Sequence, residues 1–180
     1  MADEDPSTFR ASMRRVPSPV VVVTARGPQE VRGITIGSFS SVALDPPLVS
    51  FNVARDSRMF EVMEACEWFA VHVLGENQAH LAKQFAVPGL SGPEQFEAVP
   101  HERDPHGTPI LDGGSAVLHC RLHDSLPAAD HCLYVGRVAE VEERPDQGAV
   151  LYYKSDYRGV GKELPSTRLA PVKRASNDSS

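Results

Sequence analysis

The sequence predicts a mainly β chain that closes into a barrel or packs as a sandwich, with a few short helices. Three observations carry this. About eight short runs are rich in β-branched and aromatic residues, and Gly, Pro and Asp punctuate them at short intervals. Only two segments show an apolar stripe at helical spacing. Strands this numerous with so few helices leave no room for βαβ alternation.

The elements follow in chain order. Residues 20–25 (VVVVTA) are β-branched and bounded by Pro19 and Gly27. Residues 31–36 (VRGITI), 38–43 (SFSSVA) and 47–54 (PLVSFNVA) come next, separated by Gly37 and the turn signal Asp45-Pro46-Pro47. A helix starts near Asp56-Ser57, either of which suits an N-cap, and sets Met59, Val62, Met63 and Cys66 on one stripe. Residues 68–74 (WFAVHVL) form a strand. A second helix is predicted over 76–86, with Leu81, Ala82 and Phe85 facing inward. In 116–123 (AVLHCRLH), Leu118, Cys120 and Leu122 share one face and His119, Arg121 and His123 the other. Residues 133–141 and 149–153 complete the strands. The Pro/Gly-rich stretch 87–115 is the one long irregular region, read either as a surface excursion or as a binding loop able to fold over a ligand.

The chain has 180 residues, enough for one core, which places a single domain at 9–164 between flexible tails at 1–8 and 165–180. Eighteen Lys plus Arg against 24 Asp plus Glu give a net charge of −6, against a general nucleic-acid binder. Three cysteines without a CxxC pair read as buried thiols in a reducing compartment. The acidic N-terminus has no secretory pattern and no apolar run approaches membrane-spanning length, so the expectation is a cytoplasmic protein without a membrane span.

Several chemistries lack their signatures. There is no GxGxxG, no GxxxxGK[ST] and no GxSxG. His119 and His123 are the one His-x3-His pair, and on a strand they lie roughly 13 Å apart, too far for one zinc ion. No metal site is expected, and these histidines read as a solvent-facing or dimer-facing strand surface.

Residues 33–54 are the informative segment. Gly33 and Gly37 lack a Cβ and would let backbone approach a flat ligand, while Thr35, Ser38, Ser40 and Ser41 offer hydroxyls. Arg55-Asp56-Ser57-Arg58 then opens a helix, where free N–H groups and two guanidiniums suit a phosphate. A polar hairpin followed by a capped surface helix is the structural alternative.

Four blocks kept in order settle that choice: TIGSFSSVALDPPLVSFNVARDSRMFEVM, FAVHVLGENQAHLAKQFA, DHCLYVGRVAEV and VLYYKSDYRG. Over about Phe9 to Tyr157 the chain resembles the flavin reductase-like family, the short-chain NAD(P)H:flavin oxidoreductases that serve two-component monooxygenases. The resemblance implies an FMN-binding split β-barrel of Greek-key type, a homodimer with FMN or FAD near the subunit interface. It implies isoalloxazine contacts at Thr35, Gly37, Ser38 and Phe39, with backbone from Phe51, Asn52 and Val53. Phosphate contacts fall on Arg55, Ser57 and Arg58; Lys83 and Phe85 border the flavin; His131 faces the nicotinamide, and Tyr157 lies near the same pocket. The chain departs from the family pattern at Gly37, where Asn is usual, at Val16-Pro17-Ser18-Pro19 for Phe-Pro-Thr-Gly, and at Gly159-Val160-Gly161 for Arg-Leu.

The implied activity is hydride transfer from NAD(P)H to FMN or FAD, with reduced flavin diffusing to a monooxygenase or halogenase component. His131 is then a residue that positions the nicotinamide. The alternatives are a split-barrel protein that stores or carries flavin without turnover and, more remotely, a pyridoxamine-phosphate oxidase-like binder.

Overall fold

The computed structural model describes residues 5–164. Helix α1 (Pro6–Met13) and the short strand β1 (Ser18–Pro19) lead into β2 (Val21–Arg26), β3 (Val31–Ile36), β4 (Ser40–Leu44) and β5 (Pro47–Ala54). Helix α2 (Arg58–Ala65), β6 (Trp68–Val73), a 3₁₀ turn (Glu76–Gln78), α3 (Ala79–Gln84) and α4 (Gly92–Phe96) follow. Three hairpins finish the chain: β7 (His101–Arg103) with β8 (Pro109–Leu111), β9 (Ala116–Ala128) with β10 (His131–Glu143), and β11 (Val150–Tyr153) with β12 (Asp156–Gly159). Part of the segment expected as an N-terminal tail is therefore helical: Asp5 caps α1 by accepting the Ser7 N–H at 3.0 Å, although no residue of α1 is buried. The tail expected over 165–180 lies outside the described residues.

Seven strands form one antiparallel sheet in the order β3-β2-β6-β9-β10-β5-β4. Its two edge strands, β3 and β4, are consecutive in the chain, joined only by Gly37, Ser38 and Phe39. Six inter-strand spacings would part the edges of a flat sheet by roughly 29 Å, whereas the four steps from Ile36 to Ser40 reach at most about 14 Å. The sheet must therefore curl, and the linker closes it into a barrel.

Strand β2 is buried on both faces, which explains its unbroken apolar run. Val21, Val23 and Ala25 point into the barrel with Phe51, Phe69, Val71, Cys120 and Tyr134, and the Met59, Val62 and Met63 stripe of α2 packs on this core. Phe51 sits edge-on to Phe69 at 5.4 Å. Val20 and Val22 face outward beneath Leu81, Phe85, Phe96 and Leu111. Ser57 is the N-cap of α2, its hydroxyl accepting the Phe60 N–H at 3.2 Å.

The 87–115 stretch, expected as irregular, is ordered as α4 and the β7–β8 hairpin, both packed on the outside of the barrel. Trp68 stacks on His106 at 4.0 Å, and the buried Thr24 hydroxyl donates to the Pro109 carbonyl at 2.6 Å. His119, expected on a solvent- or dimer-facing surface, is instead half-buried, 3.7 Å from the Asp104 carboxylate. Its partner in that expectation, His123, is exposed.

The β11–β12 turn puts two non-glycine residues in the left-handed region, Lys154 at φ +51 and Ser155 at φ +66. Asn-Gly at these positions is expected to raise stability by about 1–2 kcal/mol, roughly 3–6 °C in Tm, checked by thermal unfolding monitored by circular dichroism.

Candidate functional site

The end of β3, the end of α3 and the β11–β12 hairpin enclose a cleft of about 410 Å³. It gathers Thr35, Gly37, Lys83 and Tyr157, four residues that lie up to 122 positions apart in the chain, together with Ser18, Tyr152 and Asp156. One carbonyl ties its walls: Ala82 O accepts from Thr35 Oγ1 at 2.7 Å and from the Tyr157 hydroxyl at 3.3 Å. Burial, with Tyr152 adding to it, raises the Tyr157 pKa, so its phenol stays a donor.

The two glycines of the informative segment have different reasons. A Cβ on Gly37 would meet only Ser18 Cβ at 3.6 Å and Pro19 O at 3.9 Å, ordinary contacts, so protein packing does not demand glycine there. The position opens onto the cleft. A Cβ on Gly33 would lie 2.5 Å from the Phe85 ring, so Gly33 makes room for that side chain and not for a ligand. Phe85, implied to border the flavin, has its ring 2% exposed and packed on Gly33 and Phe96. Its carbonyl accepts the Thr35 N–H at 3.3 Å and so ties the end of α3 to β3.

From the cleft the site continues along the barrel closure. Ser38 Oγ accepts the Asn52 N–H at 2.9 Å and so pins the linker to β5. Phe39 is half-buried against the barrel core, whereas Ser38 and Asn52 are exposed. The side chains of Phe51 and Val53 lie wholly in the core. β4 pairs with β5 only up to Ser50, so beyond it the β4 side of β5 has no strand partner; Asn52 turns its backbone to that open side, whereas Phe51 and Val53 turn theirs to β10.

The far end of β5 meets the β9–β10 turn. His131 stands opposite Ala54, and the Asp130 carbonyl accepts the Arg55 N–H at 2.9 Å, which fastens the start of the β5–α2 connection to the β9–β10 turn. Arg55, Phe60, Ala129 and Asp130 line a hollow of about 420 Å³. The Asp130 carboxylate lies 2.8 Å from His131 Nδ1, and that hydrogen bond, with the imidazole's charge, holds its pKa below the usual range. Ala129 takes φ +53 to make this turn. Arg55 and Arg58 are exposed, and neither forms an ion pair among the described residues. They are not clustered tightly: Arg58 opens α2 outside the Arg55 hollow, close enough to Glu94 to add to the Ser91 hydrogen bonds that lower that carboxyl's pKa. The Ser57 hydroxyl already donates to Ala54 O at 2.7 Å while capping α2.

This donor set suits a flavin: an open cleft for a planar ring, free backbone along β5, then two cations and a helix N-terminus for a phosphate. Reading the sequence missed the Ala82 carbonyl, because no pattern marks a backbone acceptor, and Asp130, whose place beside His131 was visible as a neighbouring acid. Among the described residues no three His, Cys, Asp or Glu side chains form a metal-binding group, and no helix is long and apolar enough to cross a membrane. Burial pushes the Cys66 thiol up to about 11 and the Cys120 thiol up to about 12, so neither is a nucleophile at neutral pH.

The chain matches a family of known proteins over most of its length. Residues 13–161 fit the model of the flavin reductase like domain. A flavin reductase of Pseudomonas putida is 35% identical over 156 residues, covering 86% of this chain and 90% of that protein. The reductase component of 4-hydroxyphenylacetate 3-monooxygenase from Thermus thermophilus is 35% identical over 150 residues, covering 83% and 93%. An NADH:FAD oxidoreductase of Streptomyces globisporus, solved in complex with NAD and FAD fragments, superposes with a TM-score of 0.79 at 31% identity, covering 95% of this chain and 96% of its own. Sequence, barrel topology and site geometry agree, and the chain belongs to the flavin reductase-like family.

Proposed function

We propose that this chain reduces FMN or FAD with NAD(P)H and releases the reduced flavin to a separate monooxygenase or halogenase component. The observation that carries this reading is the succession of the Thr35–Gly37 cleft, the open side of β5 and the hollow lined by Arg55 and Asp130. It joins a slot for a ring to cations for a phosphate, the order in which a flavin nucleotide presents them. Relatives named as flavin reductases, one of them the reductase component of a monooxygenase, support the same assignment.

Bound flavin supplies the hydride acceptor, and the nicotinamide cosubstrate leaves oxidised. Thr35, Gly37, Ser38 and Phe39 hold one edge of the ring, with Lys83 and Tyr157 closing the cleft. Lys83 lines that cleft and would offer a cation to a ring that gains negative charge on reduction. Asn52, on the open side of β5, would guide the chain of the nucleotide toward Arg55, Ser57 and Arg58. Asp130 accepts from His131 Nδ1 and orients the imidazole, which positions the nicotinamide. Replacing His131 by Ala is expected to raise KM for NAD(P)H about 10-fold or more while changing flavin affinity less than about 3-fold, read from steady-state kinetics and flavin titration. An unchanged KM removes that role.

The working unit is a homodimer. Val49, Phe51 and Val53 point into the barrel, so Leu48, Ser50 and Asn52 face outward, and Leu133 and Val135, opposite Asn52 and Ser50, share that face. Leu126 and Val42, 61% and 53% exposed, extend its apolar character. A second copy covering this face would also wall the site beside Asn52 and His131. Leu133→Glu is expected to give monomers in sedimentation velocity, with FMN affinity lowered in parallel. We assign the protein to the cytoplasm, the compartment that supplies NAD(P)H; three free thiols support this.

The deciding experiment is NADH and NADPH oxidation by the purified protein with no flavin, with FMN and with FAD. Turnover that depends on added flavin is expected. Bound flavin without turnover would move the reading to a flavin carrier.

A further inference from the structure

A second cleft, of about 490 Å³, opens at the other end of β3, between the β2–β3 turn, α4 and β7. It shares no lining residue with the cleft of Thr35 and Gly37, and nothing in the flavin chemistry uses it.

Two guanidiniums and two carboxylates line it, and the two pairs differ in how they are engaged. Arg26 and Arg103 converge on the β7–β8 turn: Arg103 Nη1 donates to the Gly107 carbonyl at 3.3 Å, and a Cβ on Gly107 would sit 2.5 Å from Arg26 Nη1. Neither guanidinium has an ion-pair partner among the described residues. Two like charges brought to one turn repel unless an anion joins them. Of the cleft's carboxylates, Glu30 is engaged by Arg32 at 3.6 Å and by the Gly92 N–H at 3.1 Å. Glu97, at the C-cap of α4, remains and disfavours a multiply charged ligand. The floor is aromatic, with the rings of Phe96 and His101 4.9 Å apart. Guanidiniums and aromatic rings gathered in one cleft match a planar acid carrying a single negative charge.

The floor also leads to the flavin cleft. Phe96 packs edge-on to Phe85 at 5.1 Å, and Phe85 lies over Gly33 with its carbonyl on the Thr35 N–H. Gln95, beside Phe96, grips the backbone of Gly33 twice, accepting its N–H at 3.2 Å and donating to its carbonyl at 3.0 Å. Whatever shifts α4 shifts the strand residue two places before Thr35.

We propose that this cleft binds a small aromatic carboxylate as an effector, and that its occupation changes flavin affinity through Phe96, Phe85 and Gln95. The second limb rests on the flavin reading above; the first does not. The test uses the full chain, with benzoate and uncharged benzamide as probes in isothermal titration calorimetry. FMN affinity is measured by fluorescence quenching with and without saturating benzoate. Benzoate is expected to bind at least 10-fold tighter than benzamide, and Arg26→Gln with Arg103→Gln to remove that preference. FMN affinity is expected to change at least about 5-fold, and FMN must change benzoate affinity by the same factor. Equal binding of the two probes, or benzoate binding that survives both substitutions, overturns the site. Because that arm runs without flavin, its failure leaves the reductase reading intact. FMN affinity indifferent to bound benzoate overturns the effector role.

Discussion

Replacing Arg55 and Arg58 together by alanine is expected to weaken FMN about 100-fold or more while changing riboflavin less than about 5-fold. Riboflavin carries the same ring and ribityl chain but no phosphate, so the pair of ligands separates loss of a charge clamp from loss of fold. A hydrogen bond to a charged group contributes about 1.5–3 kcal/mol, and the full loss of two would exceed 100-fold. Both arginines are exposed, which weakens each contact by solvent screening and sets the estimate at the lower end. They also stand apart, Arg55 in the hollow beside Asp130 and Arg58 at the first turn of α2, so the single substitutions are expected to be unequal, with Arg55→Ala the larger. Equal losses for FMN and riboflavin would mean that the double variant has damaged the β5–α2 junction, and the phosphate role would fall.

The second large effect is on stability in acid. His72 is wholly enclosed, and burial, aided by the charges of Arg144 and His119, pushes its pKa down to about 3. Its Nε2 lies 2.9 Å from Thr24 Oγ1, whose own proton goes to the Pro109 carbonyl, so the imidazole donates there and is neutral. Its Nδ1 has no partner among the described residues. An unfolded chain takes up a proton at this histidine near its ordinary value of 6.5, whereas the folded chain resists until about 3. Between these limits the unfolded state holds more protons, and stability falls as pH falls. From pH 7 to pH 4.5 the loss is roughly 2–3 kcal/mol. Urea unfolding at the two pH values measures it, and His72→Leu is expected to flatten the dependence while Thr24 keeps its bond to Pro109. An equally steep dependence in that variant would show that other groups carry the acid sensitivity.

Strands were legible wherever one local pattern decided them. The β-branched run of β2, the alternation of β9 and the Met59, Val62, Met63 stripe of α2 read directly from spacing. The β7–β8 hairpin did not, because three-residue strands held by a Trp68–His106 stack and a buried threonine have no periodicity of their own. For the same reason His119 read as exposed: its cover, Asp104, comes from that hairpin. At the site, the motif residues Thr35, Gly37, Lys83 and Tyr157 do meet in one cleft. Gly33 misled because a missing Cβ leaves the same trace in sequence whether a ligand or the Phe85 ring fills the space. The carbonyl of Ala82, which fastens two hydroxyls, could be found only from coordinates.

The meeting of β3 and β4 has a consequence for how the barrel breathes. These strands are the free edges of the seven-stranded sheet, and no backbone ladder among the described residues joins them. The linker Gly37–Phe39, the Ser38–Asn52 hydrogen bond and the side chains packed in the barrel core hold the gap instead. A flavin lying along that gap would act as a clasp, adding to the closed barrel's cohesion what a seventh ladder would otherwise provide. Amide hydrogen exchange would register this as slower local opening of Val31–Ile36 and Ser40–Leu44 in the presence of FMN, while the central pairing of β6 with β9 keeps its rate.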